Sequence, residues 1–167
     1  IEGRVIEKDE EVERKNLDNL KNLKPAFIEN GILTAGNSSN LSDGASMMIL
    51  VSAEFINKHN IKPMAKILGY NNSVDIPENF PIIHTKCIEE CVKKLKMDIK
   101  DIDLFELNEG YPIVPLHTHK TLNIPLEKIN VLGGAIALGH PIGCSGVRIV
   151  GTLITALRDN GGKIGCA

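Results

Sequence analysis

The chain has no C-x-x-C pair, no excess of either charge and no long apolar run. Each absence closes a class of function. Its four cysteines (Cys87, Cys91, Cys144 and Cys166) lack metal-knuckle spacing. Cys87 and Cys91, four apart in a helical pattern, read as two buried thiols on one helix face. The cysteine usage suits a reduced, intracellular chain. A formal net charge of −2 leaves no basic surface for nucleic acid or anionic lipid. No apolar run reaches the ~18 residues of a membrane span. No secretory or transit pattern is visible at the start, and the compartment is not legible. Low-complexity tracts and short repeats are also missing.

What is present is enough for one domain. The 167 residues are 43% hydrophobic and 24% charged, which allows a sizeable core. Residues 1–24 mix acids and bases in one unbroken run and read as a charged linker or arm from a preceding region. The domain itself is expected over 25–167. It opens on "LKPAFIENGILTAGNSSNLSDGAS", a long ordered loop rich in Gly, Asn and Ser. Asp43 is the expected N-cap of a helix running through "ASMMILVSAEFINKHN", apolar almost all round. "PMAKILGY" suits a short strand. Residues 81–97 put Ile83, Cys87, Ile88, Cys91, Val92 and Leu95 on one face of an amphipathic helix. "IDLFELNEG" reads as a strand ending in a polar turn, and "INVLGGAIALG" as an apolar strand with a glycine pair. A helix follows from Gly143, with Gly161 as its stop, and "KIGCA" starts a last strand. Strands alternating with helices predict a layered α/β sheet.

Two stretches carry chemistry. "GGAIALGHPIGCSG" holds one histidine and one cysteine among five glycines. His140 lies at a strand-to-helix turn, beyond the carboxyl end of a strand, where α/β proteins place functional groups. Gly139 and Gly143 allow close approach of a ligand. A structural histidine filling the turn is the competing reading. In "NEG", at a second strand end, Asn108 can hold a water or donate to an oxygen. Glu109 is either a general base or a cap.

The motifs together are more specific. "NVLGGAIALGHPIGCSG" resembles the signature near the C-terminus of thiolases, the acetyl-CoA acetyltransferase and 3-ketoacyl-CoA thiolase family. "LFELNEGY" is similar to that family's N-E-A-F segment. "LKPAF" and "TAGNSSNLSDGA" resemble its loop for the pantetheine arm of coenzyme A. The resemblance spans residues 21–167 and implies the C-terminal half of a layered thiolase-like α/β fold, a mixed sheet with helices on both faces. It implies that His140 activates a nucleophilic cysteine and donates to an oxyanion hole, with Asn108 anchoring a water as the other donor. Such donors are worth roughly 3–4 kcal/mol each. By the same resemblance Ala35, Ser39 and Leu41 line the pantetheine channel, Phe27 lies near the nucleotide end, and Gly110 and Tyr111 flank the acyl pocket. Coenzyme A thioesters are then substrates, and no permanently bound cofactor or metal is expected. The implied assembly is a homo-oligomer, dimer or tetramer, and the further partner is an N-terminal half.

The family uses two catalytic cysteines. One belongs to the N-terminal half. The other sits in a Gly-x-Ala-x-x-Cys-x-Gly segment, whose first three positions match Gly165, Cys166 and Ala167. Neither cysteine falls within these residues, so the chain alone is expected to be inactive. Cys144 and Cys166 read as packing residues. The family's Ala-Phe is Gly110-Tyr111 here, and Pro112 and Pro115 fit only in or before the first turn of the next helix. His117 and His119 are expected on the surface. A non-catalytic interaction or structural domain, and a lipid-carrier-type thiolase relative, are the alternatives. A ketoacyl synthase is disfavoured by the Asn-Glu pair, because synthases place a histidine there.

Overall fold

The computed structural model describes residues 3, 5, 7–9 and 17–167. Much of the expected charged arm lies outside the described residues. Residues 25–46 form the expected loop, held by its own polar side chains. Pro25 and Thr34 make an antiparallel bridge. Asn37 closes the tip, its Oδ1 accepting from the Thr34 N–H at 2.8 Å and its Nδ2 donating to the Ile32 carbonyl at 2.9 Å.

The helix expected from residue 45 is much shorter. Only α1 (Ala53–His59) is helical, capped by Ser52 Oγ rather than Asp43 and ended by Asn60 at φ 50°. Residues 44–52 are irregular, with Met47 87% and Ile49 80% exposed. A helix apolar all round is stabilised only by burial all round, and these side chains are largely uncovered. The strand expected over 63–70 is likewise absent among the described residues. A strand is defined by its partner, and no pairing forms there.

From residue 81 onward the amphipathic helix and the glycine-stopped helix read from the sequence are both present, while the expected strands are shorter. Helix α2 (Ile83–Lys94) buries Thr85, Ile88 and Val92 and carries Lys93 and Lys94 in its last turn, where cations suit the helix dipole. Cys87 and Cys91 on it are half-buried rather than buried. Strand β1 (Leu104–Phe105) follows. Pro112 then caps α3 (Ile113–Leu122), and Pro115 sits in its first turn, where a missing N–H costs nothing. Next come one helical turn, α4 (Ala135–Leu138), the 19-residue α5 (Ile142–Asn160) and β2 (Gly165–Cys166). Gly161, at φ 69°, ends α5 as expected.

The apolar strand expected over 129–139 contracts to a single parallel bridge, Ile129 to Phe105. Asn130 at φ 49° and Gly133 at φ 85° turn the chain out of the sheet immediately afterwards. The sheet is thus small and parallel: β1 pairs with β2, Leu104 opposite Gly165 and Phe105 opposite Cys166. Helices cover both of its faces. Phe105 packs with Ile88, Val92, Ile102, Leu107, Ile124 and Ile129 on one side. Leu104 packs with Leu153 and Ala156 of α5 on the other. Two loops leave this core at one end, after β1 and after Ile129, and they carry the candidate residues.

Candidate active site

His140 is fixed from three directions. Turn α4 ends at Gly139, whose φ of 95° favours glycine. A Cβ there would also lie 2.1 Å from Ser42 Oγ, so the neighbour that approaches Gly139 is the 25–46 loop. The His140 backbone N–H donates to the Asn40 carbonyl of that loop at 3.1 Å. The imidazole Nδ1 stands 2.6 Å from Ser145 Oγ. That hydroxyl donates to the Pro141 carbonyl at 3.1 Å. The one hydroxyl thus bridges the His140 ring and the backbone of the next residue and fixes the ring's orientation. The other ring nitrogen, Nε2, faces Asn108 Nδ2 at 3.3 Å.

Asn108 comes from the other loop, 32 residues earlier. Its Oδ1 is buried with no hydrogen-bond partner among the described residues. The residues around it are fully engaged. Asn130 Oδ1 accepts from the Leu107 N–H at 2.6 Å, and Asn130 Nδ2 donates to the Leu107 carbonyl at 2.9 Å. The same Nδ2 donates to Glu109 Oε1 at 2.6 Å. Glu109 Oε2 accepts the Ile136 N–H at 3.2 Å. Both carboxylate oxygens of Glu109 thus hold donors, one of them the Ile136 N–H in the first turn of α4, as a cap does. Three residues upstream of Glu109, Glu106 is 1% exposed and pairs with Arg148 of α5 at 2.9 Å. Burial pushes its carboxyl up to about 7, against the pull of the Arg148 guanidinium.

The 25–46 loop lies across this corner. Ser39 donates to the Gly110 carbonyl through both its N–H (3.3 Å) and its Oγ (3.1 Å). Ser46 Oγ donates to the Cys144 carbonyl at 2.7 Å. Phe27 meets Tyr111 edge-on, with ring centres 5.9 Å apart. Phe27 was expected near the nucleotide end of a coenzyme A channel and Tyr111 beside the acyl pocket, and the two rings are in direct contact. Ala35 is exposed and Leu41 is 95% exposed. A side chain at Gly143 would meet nothing within 4 Å, so the approach to the start of α5 is open. Cys144 is 7% exposed and Cys166 half-buried, with burial beside Cys91 and Cys87 pushing the Cys166 thiol up to about 11. Both are placed as packing residues. His117 is half-buried rather than on the surface, its Nδ1 2.8 Å from Thr85 Oγ1. His119 is half-buried as well, its Nδ1 2.6 Å from the Ile124 carbonyl and donating to it. Among the described residues no group of three or more His, Cys, Asp or Glu is placed to hold a metal ion, and no helix is long and apolar enough to cross a membrane.

The site therefore joins His140, Asn108, Ser39 and Gly110, with the Phe27–Tyr111 pair beside them. Sequence reasoning missed three contributors: Ser145 as the partner of Nδ1, Asn130 with Glu109, and the Asn40 carbonyl. Ser145 and Asn130 sat in the signature without an assigned role. Asn40 acts through its backbone, which no side-chain pattern reveals.

An imidazole whose Nε2 stands beside a carboxamide, at the carboxyl end of a parallel strand, is an arrangement that can exchange a proton with a ligand. Comparison with known proteins identifies the family. The thiolase C-terminal domain family matches residues 61–167, and the thiolase N-terminal domain family matches residues 2–54. The chain belongs to the thiolase family. It is 45% identical to an acetyl-CoA acetyltransferase of Candida albicans over 164 residues, 98% of this chain and 41% of that protein. The acetyl-CoA acetyltransferase of Bacillus anthracis superposes with a TM-score of 0.88 at 37% identity, covering 96% of this chain and 41% of that one. Human mitochondrial 3-ketoacyl-CoA thiolase, in its complex with CoA, gives a TM-score of 0.81 at 39% identity, covering 89% and 38%. The chain spans about two fifths of the length of the relatives it matches.

Proposed function

We propose that this chain supplies the His140–Asn108 part of a thiolase site in an acyl-CoA acyltransferase. The reaction is the reversible condensation of two acetyl-CoA into acetoacetyl-CoA and CoA, or the cleavage of 3-ketoacyl-CoA by CoA into acyl-CoA and acetyl-CoA. The observation that carries the reading is the 3.3 Å contact between His140 Nε2 and Asn108 Nδ2, with Ser145 holding the other ring nitrogen. Nε2 takes the proton of an attacking cysteine thiol, and the resulting Nε2–H donates to the oxyanion of the thioester under attack. Asn108 Oδ1 accepts one hydrogen of a water, whose other hydrogen points at the same oxyanion. The sulfur displaces CoA thiolate, which takes up a proton to leave as CoA. The acyl-cysteine then passes its acyl group to a carbanion, or to CoA sulfur in the reverse direction. Both cysteines come from outside these 167 residues, and the 167-residue chain alone is inactive. Gly110 and Tyr111 flank the acyl pocket, and Ser39, with Ala35 and Leu41, faces the pantetheine arm. Phe27 lies near the nucleotide end, its ring against Tyr111. Residues 25–167 act as one unit, because Ser39, Asn40 and Ser46 bind the later elements directly.

The test is a thiolysis assay on the longer protein carrying this chain, with and without His140→Ala. A fall of ~100-fold or more in turnover is expected for loss of a base and oxyanion donor. Undiminished turnover would refute the role. Acetoacetyl-CoA cleavage by the purified 167-residue chain would refute its inactivity.

A second reading, an association domain, is favoured by the apolar residues left uncovered, Met47, Ile49, Leu50 and Met64 among them. It predicts self-association of the 167-residue chain into dimers or tetramers. A clean monomer in sedimentation equilibrium would count against it.

A further inference from the structure

Asn108 and His140 lie on separate loops, yet their side chains meet. What sets that meeting is visible in the hydrogen bonds around them. Asn130 uses every polar atom it has. Its N–H donates to the Phe105 carbonyl at 2.9 Å, and its carbonyl accepts from the Gly133 N–H at 2.8 Å. Its carboxamide takes both backbone groups of Leu107, at 2.6 and 2.9 Å. The side chain thus stands in for a neighbouring strand one step beyond the Ile129–Phe105 bridge. This locks the residue before Asn108. The residue after it, Glu109, is locked by the same carboxamide at 2.6 Å.

Glu109 also reaches forward. Gly134, the residue before α4, makes no side-chain cap, and the N–H of Ile136 goes to Glu109 Oε2 instead. Turn α4 ends at Gly139, next to His140. One carboxylate therefore ties the neighbour of Asn108 to the turn that delivers His140. Room for it exists only because residue 134 is glycine. A Cβ there would fall 2.2 to 2.5 Å from the carboxylate atoms.

We propose that Glu109 and Asn130 are positioning residues, which set the contact between Asn108 and His140 by clamping the two loops to each other. The proposal takes its functional meaning from the assigned roles of Asn108 and His140. Its test reads geometry alone, so it can fail or succeed independently of thiolysis.

The experiment is side-chain NMR on the 167-residue chain. The probes are the His140 Nε2 resonance, the Asn108 Nδ2 resonance and the cross-peak between the two side chains. Glu109→Gln puts an amide N–H₂ where a donor already points, so one of the two bonds is lost. The expected result is loss of the cross-peak and a joint shift of both resonances. Gly134→Ala keeps the carboxylate but expels it, and should give the same result. Val92→Ala, a core change remote from the clamp, should lower stability and leave the cross-peak in place. Retention of the cross-peak in folded Glu109→Gln or Gly134→Ala overturns the proposal. So does its loss in Val92→Ala. If both clamp variants fail to fold while Val92→Ala folds, Glu109 is a stability element and the positioning role is wrong.

Discussion

Consider a titration of stability centred on Glu106. Its carboxyl is 1% exposed, and burial raises it from 4.5 to about 7, with Arg148 opposing and Glu109 adding to the rise. Between those values the native chain binds more protons than the unfolded one. Stability from this group is therefore fully present below pH 4.5 and is lost as the pH rises through about 7. The gap corresponds to roughly 3 kcal/mol in all. Near pH 6 the native state holds about 0.9 proton more, so the slope is ~1.2 kcal/mol lost per pH unit. Other groups contribute with different signs. His84, held below its usual value by burial, adds stability as pH rises towards 6.5. Asp103, whose carboxylate accepts the Ile164 and Lys163 N–H groups, contributes stability that is lost only as pH falls through its lowered value. Glu106→Gln removes one titration and leaves these in place. Urea unfolding of the wild type and the variant from pH 4.5 to 8 isolates it by difference. The wild type should lose roughly 3 kcal/mol relative to the variant over that range. A flat difference between pH 5 and 7.5, or one of opposite sign, would show that burial does not govern this carboxyl.

Three further outcomes follow from the same contacts. Phe105→Ala empties the centre of the larger cluster, where Phe105 is 2% exposed, and should cost ~3–5 kcal/mol in denaturant melts. Gly161→Ala meets no atom within 4 Å but must adopt φ 69°, so it should cost ~1 kcal/mol from backbone strain alone; no loss would mean the cap had relaxed. Cys166, with its thiol pushed up to about 11, should resist iodoacetamide at pH 8 in the folded chain and react once urea unfolds it. Rapid native-state labelling would contradict its packing role.

Helices α2 and α5 were legible because each carries its own instructions, an apolar stripe in α2 and a glycine just past the last turn of α5, whereas for α3 the two prolines only limited where it could start, and its end at Asn123 carried no signal that was read. Strand β1 was legible from its apolar run, although only Leu104 and Phe105 are paired as a strand. Two segments were misread for one physical reason. A helix through 45–52 and a strand over 63–70 were inferred from apolar content, which specifies burial but not the partner that provides it. The end of the 129–139 strand was hidden in Asn130, because a left-handed asparagine looks like any other polar residue in a run. At the site, side-chain identities were readable and their wiring was not. The signature held Ser145 and Asn130 without saying what they touch. Glu109 left two roles open, and its contacts show the capping one.

The loop over the site has a consequence for recombination. The carbonyl that receives the His140 N–H belongs to Asn40, within the stretch matched by the N-terminal domain family, whereas His140 lies in the stretch matched by the C-terminal one. Ser39 and Gly110 cross the same seam. A chimera of two thiolases joined at residues 55–60 would transplant the histidine while changing the strap that holds it. Grafts that carry residues 36–46 together with the C-terminal elements keep donor and acceptor from one parent, and should be the junctions that preserve the geometry.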